Sequence, residues 1–218
     1  MASSPIDDLP ASFYLRRGKR LLDLALSLSA LILLLPVFVL ISAIIRLTSP
    51  GPALFKQERI GKVGHPFQIC KFRSMHVNSE NSGLPITSKG DHRITAVGAV
   101  LRKYKLDELP QLWNVVKGEM SLVGPRPEIR KYVDLYNAEQ KRVLSLLPGI
   151  TSPASLEYRR EEELLSQQYD PERYYIDHLL DQKIRINQDY ASALSLKNDL
   201  RILFATVTAA LRPDHYQA

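Results

Sequence analysis

Residues Leu24–Ile45 form an unbroken run of 22 uncharged positions, 18 of them Leu, Ile, Val, Phe or Ala and the others Ser27, Ser29, Ser42 and Pro36. A straight helix of about 20 apolar residues crosses the roughly 30 Å hydrocarbon core of a bilayer. The run therefore restricts the chain to a membrane-inserted helix or an unusually apolar core. A cleaved signal peptide fits poorly, because the run is long for a signal core and Arg46-Leu47-Thr48-Ser49-Pro50 offers no small-x-small cleavage site. Pro36 lacks an N–H and clashes with the preceding turn, so a kink or break is expected there. Both flanks are basic, with Arg16, Arg17, Lys19 and Arg20 before and Arg46, Lys56, Arg59 and Lys62 after. A simple span usually carries its Lys/Arg excess on one side. Two halves of about 10–12 residues, each roughly 15–18 Å long, would instead dip to about mid-bilayer and return. The favoured reading is a re-entrant hairpin broken at Pro36, ahead of a single span or a buried pair of core helices.

Charge agrees with that reading. The chain holds 29 Lys+Arg against 23 Asp+Glu, a net of +6. Residues 1–75 carry 10 basic and 4 acidic side chains, while residues 76–218 carry 19 of each. The whole excess lies beside the apolar run, where it would meet anionic head groups of a lipid bilayer. Nucleic-acid binding would want a basic face in the remainder, so no nucleic-acid partner is expected. The single cysteine, Cys70, excludes a disulfide framework, and no Cys/His group has zinc-site spacing.

The 218 residues suit one compact domain. Thr48-Ser49-Pro50-Gly51-Pro52 is a stop signal. Residues Ala53–Gly61 and Pro66–Met75 read as two short strands that can pair, and His76–Gly90 as a loop. Leu109, Leu112, Trp113 and Val116 fall at i, i+3, i+4 and i+7 of a helix that Gly118 ends. Asn137 to Gln140 resembles a capping box. After Asp170-Pro171 two amphipathic helices are expected. The last carries Leu196, Leu200, Leu203, Phe204, Val207 and Leu211 on one stripe, assigned to packing on the core rather than to the bilayer surface. The expected fold is mostly α with a short β-hairpin. It divides into an N-terminal tail (1–18), a re-entrant membrane helix (19–47) and one domain (48–218) ending in amphipathic helices.

Three constellations concern phosphate. Asp107-Glu108 stands at an expected helix start, where two adjacent carboxylates can converge before the backbone becomes regular. A carboxylate can attack phosphorus, and Mg²⁺ held by one or two carboxylates plus substrate phosphates is the usual counter-charge. Asp and Glu are also ordinary residues for a helix start. In Gly124-Pro125-Arg126-Pro127 two prolines restrain an arginine whose planar fork suits a phosphate. Lys71 and Arg73 share one face of a strand, with Arg93 and Arg102 as further cations of a phosphate-binding rim. Each feature alone also fits an ordinary turn, strand face or cap.

Taken in register, these segments resemble the bacterial sugar transferase family, the monotopic polyprenyl-phosphate phosphoglycosyl transferases. The matching stretches are Lys19-Arg20-Leu21-Leu22-Asp23, Thr48–Pro52, Lys71-Phe72-Arg73-Ser74-Met75, Asp91-His92-Arg93-Ile94-Thr95, Leu106–Val115 and Gly118–Pro127. The resemblance implies transfer of a sugar-1-phosphate from a UDP-sugar to a polyprenyl phosphate (undecaprenyl phosphate), with release of UMP. It implies that Asp107 attacks the β-phosphate and holds the sugar-phosphate covalently, and that Glu108 assists with protons or metal. Mg²⁺ is the implied cofactor, Asp107 and Glu108 the metal-side residues, and Arg126 the phosphate arginine. It also implies a re-entrant helix broken at Pro36, and a site on the cytoplasmic face of a bacterial inner membrane. A homodimer is compatible with it. After Ile150-Thr151 the chain departs from the family's usual wording, through Ser152-Pro153-Ala154-Ser155 and the charged Glu157–Glu163, so no particular sugar is implied. The rivals are a membrane-bound Mg²⁺-dependent nucleotide-sugar hydrolase and a non-catalytic basic adaptor.

Overall fold

The computed structural model describes residues 14–77, 79, 86–87 and 90–211. Most of the expected tail and much of the expected His76–Gly90 loop lie outside these residues.

The apolar run forms two helices, α1 (Lys19–Leu33) and α2 (Leu35–Thr48), bent by 61°. The break falls at Leu34 (φ −89°, ψ 3°), with Pro36 in the first turn of α2. Pro36 has no N–H to give to the carbonyl four residues earlier, so the ladder stops and restarts around it. The Leu34 N–H still reaches Ala30 O at 2.8 Å, and Phe38 N–H reaches Leu34 O at 2.9 Å. The bend is open rather than a tight hairpin. Among the described residues no single helix is long and apolar enough to cross a membrane.

Polar side chains tie this apolar element to the rest. The Asp23 carboxylate, buried, accepts the Leu122 N–H at 3.0 Å. Lys19 Nζ binds Asp199 Oδ2 at 2.6 Å and Val123 O at 2.9 Å, and the Tyr190 hydroxyl donates to Asp199 Oδ1 at 2.6 Å. Arg20 donates to the carbonyls of Val115 and Val116, at 2.6 and 2.9 Å. On α2, Ile41 and Ile45 pack with Ala53, Phe72 and Leu101. The other faces are bare, with Leu33 78% and Leu47 86% exposed.

The expected strand pair is present. Strands β1 (Leu54–Ile60) and β2 (Pro66–Phe72) are antiparallel, in register from Leu54 opposite Phe72 to Ile60 opposite Pro66. Helix α3 (Ala96–Lys103) is capped by the Thr95 hydroxyl, which accepts from Gly98 N at 2.9 Å. A 3₁₀ turn (Leu106–Glu108) leads into α4 (Gln111–Lys117), and Gly118 ends it with φ 86°, the left-handed conformation glycine adopts without strain. Strand β3 (Ser121–Val123) pairs in parallel with β4 (Gly149–Thr151), a contact sequence periodicity did not reveal.

Between them lie α5 (Arg130–Val133) and a 3₁₀ segment, Gln140–Ser145. The latter opens with the expected capping box, Gln140 N–H to Asn137 Oδ1 and Asn137 N–H to Gln140 Oε1, both 2.9 Å. Helices α6 (Pro153–Glu157), α7 (Glu161–Ser166), α8 (Pro171–Tyr174), α9 (Leu180–Ser192) and α10 (Leu196–Leu211) complete the chain. The α10 assignment needs correction. Its buried residues are Asp199 and Ile202, whereas Leu196, Leu200, Phe204, Val207 and Leu211 are exposed. Asp199 turns that face inward because Lys19 and Tyr190 are there to meet it.

One glycine supports the whole α3 approach. A Cβ on Gly98 would stand 1.9 Å from the Ser74 carbonyl oxygen, a backbone atom that cannot swing aside. Gly98→Ala is expected to destabilise the protein by about 3 kcal/mol, at the upper end of overpacking costs. Thermal unfolding in detergent micelles, compared with Ala99→Gly, checks it.

Candidate active site

Asp107 and Glu108 occupy the 3₁₀ turn just before α4, after Lys105 with its left-handed backbone (φ 56°). Both carboxylates are buried, at 5% and 8% exposure. Consecutive residues in such a turn point apart, and these two meet different surroundings.

Glu108 is enclosed by cations. Arg126 Nη2 and Nη1 reach its Oε1 and Oε2 at 2.6 and 3.3 Å, and Lys71 Nζ reaches Oε1 at 3.1 Å. Burial alone would raise its proton affinity, but Arg126 and Lys71, helped by Lys105, hold it well below the usual glutamate range. Burial brings Lys71 down to about 8 in spite of Glu108, and Glu108 keeps Arg126 firmly charged.

Asp107 is the opposite case. Its Oδ1 is buried and has no hydrogen-bond partner in the structure. Burial first, and the Glu108 charge second, raise its proton affinity above the ordinary aspartate value. Lys71, Arg102 and Lys105 oppose the shift. The turn thus sets a saturated carboxylate beside an open one.

The partners arrive by traceable routes. Lys71 comes from β2, whose edge is fixed by Asn114 of α4. Asn114 Oδ1 accepts Cys70 N–H at 3.0 Å, and Nδ2 donates to Gln68 O and Glu119 Oε2, both at 2.7 Å. Arg126 follows β3, in a turn fixed by two glycines. A Cβ on Gly149 would stand 2.1 Å from Gly124 N, and one on Gly124 would stand 2.4 Å from Leu147 O. Gly149 N–H also donates to Pro125 O at 2.8 Å. From the other side the end of β1 holds the turn, with Ile60 N–H on Glu128 O at 2.9 Å and Arg59 on Pro127 O at 3.3 Å.

Among the cations expected around the phosphates, Lys71 and Arg126 stand on the dyad. Arg102 lines a cavity that Glu108 and Arg126 also border, and pairs with Glu162. Arg73 and Arg93 are placed elsewhere. Arg73 is buried in the carbonyls that end α2, with Nη2 2.9 Å from Ser49 O and 2.8 Å from Ser49 Oγ. Arg93 is paired with Asp91 at 2.6 Å. Asn114 was missed in the sequence, although a polar residue between Trp113 and Val115 in an otherwise apolar stretch is the kind of signal that marks a buried clamp. Trp113, expected on the inward stripe, is exposed.

Among the described residues no three Asp, Glu, His or Cys side chains converge as a metal cage. The two adjacent carboxylates with one orphan oxygen fit a hard cation that takes most of its ligands from phosphate and water. Asn114→Ala strips partners from Cys70 N–H, Gln68 O and Glu119. Of these only the Cys70 N–H is fully buried, so at about 1–3 kcal/mol for a buried group left unmet a loss of about 2 kcal/mol is expected in chemical denaturation, with Lys71 displaced and activity reduced.

Residues 14–213 match the family described as bacterial sugar transferase. The UDP-glucose:undecaprenyl-phosphate glucose-1-phosphate transferase of Caulobacter vibrioides is 38% identical over 200 residues, covering 90% of this chain and 71% of that protein. The UDP-N-acetylgalactosamine-undecaprenyl-phosphate N-acetylgalactosaminephosphotransferase of Aeromonas hydrophila is 37% identical over 210 residues, 93% of this chain but 45% of that protein. The exopolysaccharide production protein PSS of Rhizobium leguminosarum is 38% identical over 202 residues, 88% of this chain and 94% of that protein.

Proposed function

The chain belongs to the bacterial sugar transferase family, and on that premise we propose that it moves a sugar-1-phosphate from a UDP-sugar to a polyprenyl phosphate, releasing UMP, with Asp107 as nucleophile. The activities for which the Caulobacter and Aeromonas relatives are named support the reaction class. They name different sugars, so the donor's sugar stays open here. The observation that carries the assignment of roles is the asymmetry of the dyad.

An Asp107 oxygen attacks the β-phosphorus, and the bond from that phosphorus to the oxygen bridging it to UMP breaks. UMP leaves with the electron pair, and the sugar-phosphate stays on Asp107 as an acyl phosphate. A phosphate oxygen of the acceptor then attacks the same phosphorus, and the Asp107 carboxylate departs. Asp107 suits the nucleophile's part because its free oxygen is desolvated and unmatched, hence reactive once ionised. Glu108, saturated by two cations, suits orientation of Lys71 and Arg126 better than proton transfer. With Glu108 neutralising one charge, Lys71 and Arg126 leave one positive charge for the diphosphate, to which Lys105 adds, while Arg102 is paired with Glu162.

Of the two expected metal-side residues, Asp107, with its unmet oxygen, is the one that would hold Mg²⁺, while both Glu108 oxygens stay with Arg126 and Lys71. Bound there, the ion would offset charge on the diphosphate and the leaving group.

We place the bent helix in the cytoplasmic membrane, with the dyad on the cytoplasmic face. Legs of 15 and 14 residues are each about 22 Å long at 1.5 Å per residue. Two such legs meeting at a 61° bend put their apex about 11 Å below their ends, a depth within one leaflet. Bare leucines at the apex support immersion, since an apolar patch of this extent is not left in water. Cysteines placed near Lys19 and near Lys56 are then expected to react with a membrane-impermeant reagent from the same side only. Labelling of the two ends from opposite sides would make the element a span.

The chemical test uses the full chain, Mg²⁺ and a panel of UDP-sugars without acceptor. Intact mass should rise by one sugar-phosphate, peptide mapping should place it on Asp107, and Asp107→Asn should abolish it. Added polyprenyl phosphate should discharge it. UMP release that ignores the lipid over many turnovers would instead indicate a hydrolase.

A further inference from the structure

Beside the dyad lies a cavity of about 1140 Å³, at or above the upper end of the roughly 300–1,000 Å³ usual for small-molecule sites. It runs between α3 and the dyad turn on one side and β4, α6, α7 and α10 on the other. Its lining is of two kinds. Six cations, Arg102 and Arg126 among them, outnumber Glu108, Glu162 and Glu163, and against them stands an apolar surface that a polar donor does not need.

That surface is continuous. Leu112 and Leu122 belong to one packed cluster, and Leu203 of α10 lies against it. Further along α10, Val207, Ala210 and Leu211 line the cavity too, following Leu203 at four, seven and eight residues, one stripe of a helix. Across the cavity, Leu106 and Leu109 lie against the cluster to which Ile41 and Ile45 of α2 belong. An apolar path therefore joins the dyad turn to the bent helix. Val207 and Leu211 are 57% and 76% exposed, apolar side chains left uncovered inside a groove.

We propose that this groove holds the first isoprene units of the acceptor, with its phosphate at Arg126 and Arg102 and its chain along Leu203, Val207 and Leu211. The inference rests on the transferase reading above. Charge complementarity selects the occupant: cations at the dyad meet the acceptor's phosphate, and the apolar wall meets its tail. The uracil and sugar of the donor carry polar groups that would go unpaired against leucine and valine, whereas a prenyl chain has none.

The test measures steady-state kinetics of the full chain in detergent micelles, with prenyl phosphates of two and eleven isoprene units and the UDP-sugar that labels the enzyme. Val207→Asn and Leu211→Asn replace exposed side chains, so folding is retained. Each is expected to raise KM about fivefold to tenfold for both acceptors, since both carry the first isoprene units, less than full burial of such a side chain would give, with donor KM and kcat unchanged. Phe204→Asn, on the same helix but outside the cavity lining, should leave acceptor KM as it was. An equal effect of Phe204→Asn would show that α10 only rests on the bilayer, and a raised donor KM would assign the wall to the nucleotide-sugar. Either result, or unchanged acceptor KM in both groove variants, overturns the groove. A wild-type enzyme without lipid-dependent UMP release would overturn the transferase reading itself, whereas an active wild type with insensitive variants overturns only the groove.

Discussion

A carboxylate removed from water survives as an anion only where cations are brought to it, and Glu108 is where this fold meets that demand. Its two partners come from segments remote in sequence: Lys71 from β2 and Arg126 from the turn after β3. Most of the polar architecture between residues 54 and 151 serves that meeting. Asn114 fixes the strand that bears Lys71, β1 fixes the strand and the turn together, and the contact of Gly124 with Gly149 leaves the Arg126 turn one place to be. Breaking a buried pair by removing one partner is expensive, so the arrangement is stiff. A site that must hold a diphosphate in line for attack gains from stiffness.

The same strand reaches the bent helix pair. Two residues beyond Lys71, just past the end of β2, Arg73 closes the carbonyl end of α2, while Arg20 closes that of α4 and Asp23 takes the N–H of Leu122 in β3. An apolar helix has little to specify its orientation on a domain, because leucine packs acceptably in many ways. Buried polar pairs add direction. Lys19, Arg20 and Asp23 therefore fix how the bent helix sits relative to the dyad, and with it the height of the site above any surface in which the helix is immersed.

How much of this was legible in the sequence depended on how local the cause was. Pro36, the β1–β2 pair, the Asn137–Gln140 capping box and the Gly118 stop are each decided within a few residues, and the structure contains them. The proximity of Arg126 to the dyad was readable only because several motifs matched one family in register. Arg73 and Arg93 looked the same as Lys71 from sequence, three cations beside apolar residues. Their separation is tertiary: α2 ends where Arg73 can cap it, and Asp91 lies two residues before Arg93. The β3–β4 pair was invisible because strands of three residues have too little periodicity to declare themselves, and a parallel partner lies far along the chain. On α10 the stripe was read correctly but its direction was reversed. A stripe of leucines says that one face is apolar; Asp199 and its partners on α1 and α9 decided that the other face was buried.

The asymmetry of the dyad also bears on why the reaction would run in two steps at one place. Direct transfer would need donor and acceptor phosphates together between the same cations, with two highly charged groups crowded against Glu108. If Asp107 takes the sugar-phosphate first, UMP can leave before the acceptor arrives, and each phosphate in turn meets the same Arg126 and Lys71. Glu108 remains ionised throughout, because its cations hold it there more strongly than burial can reverse. Its service is then to keep Lys71 charged, since burial has already brought that ammonium down to about 8. Without the neighbouring carboxylate the same burial would drive it lower, and the rim would lose a cation near neutral pH. On the proposed reading the dyad divides the work: desolvation makes one carboxylate reactive, and the other maintains the field in which that reactivity is used.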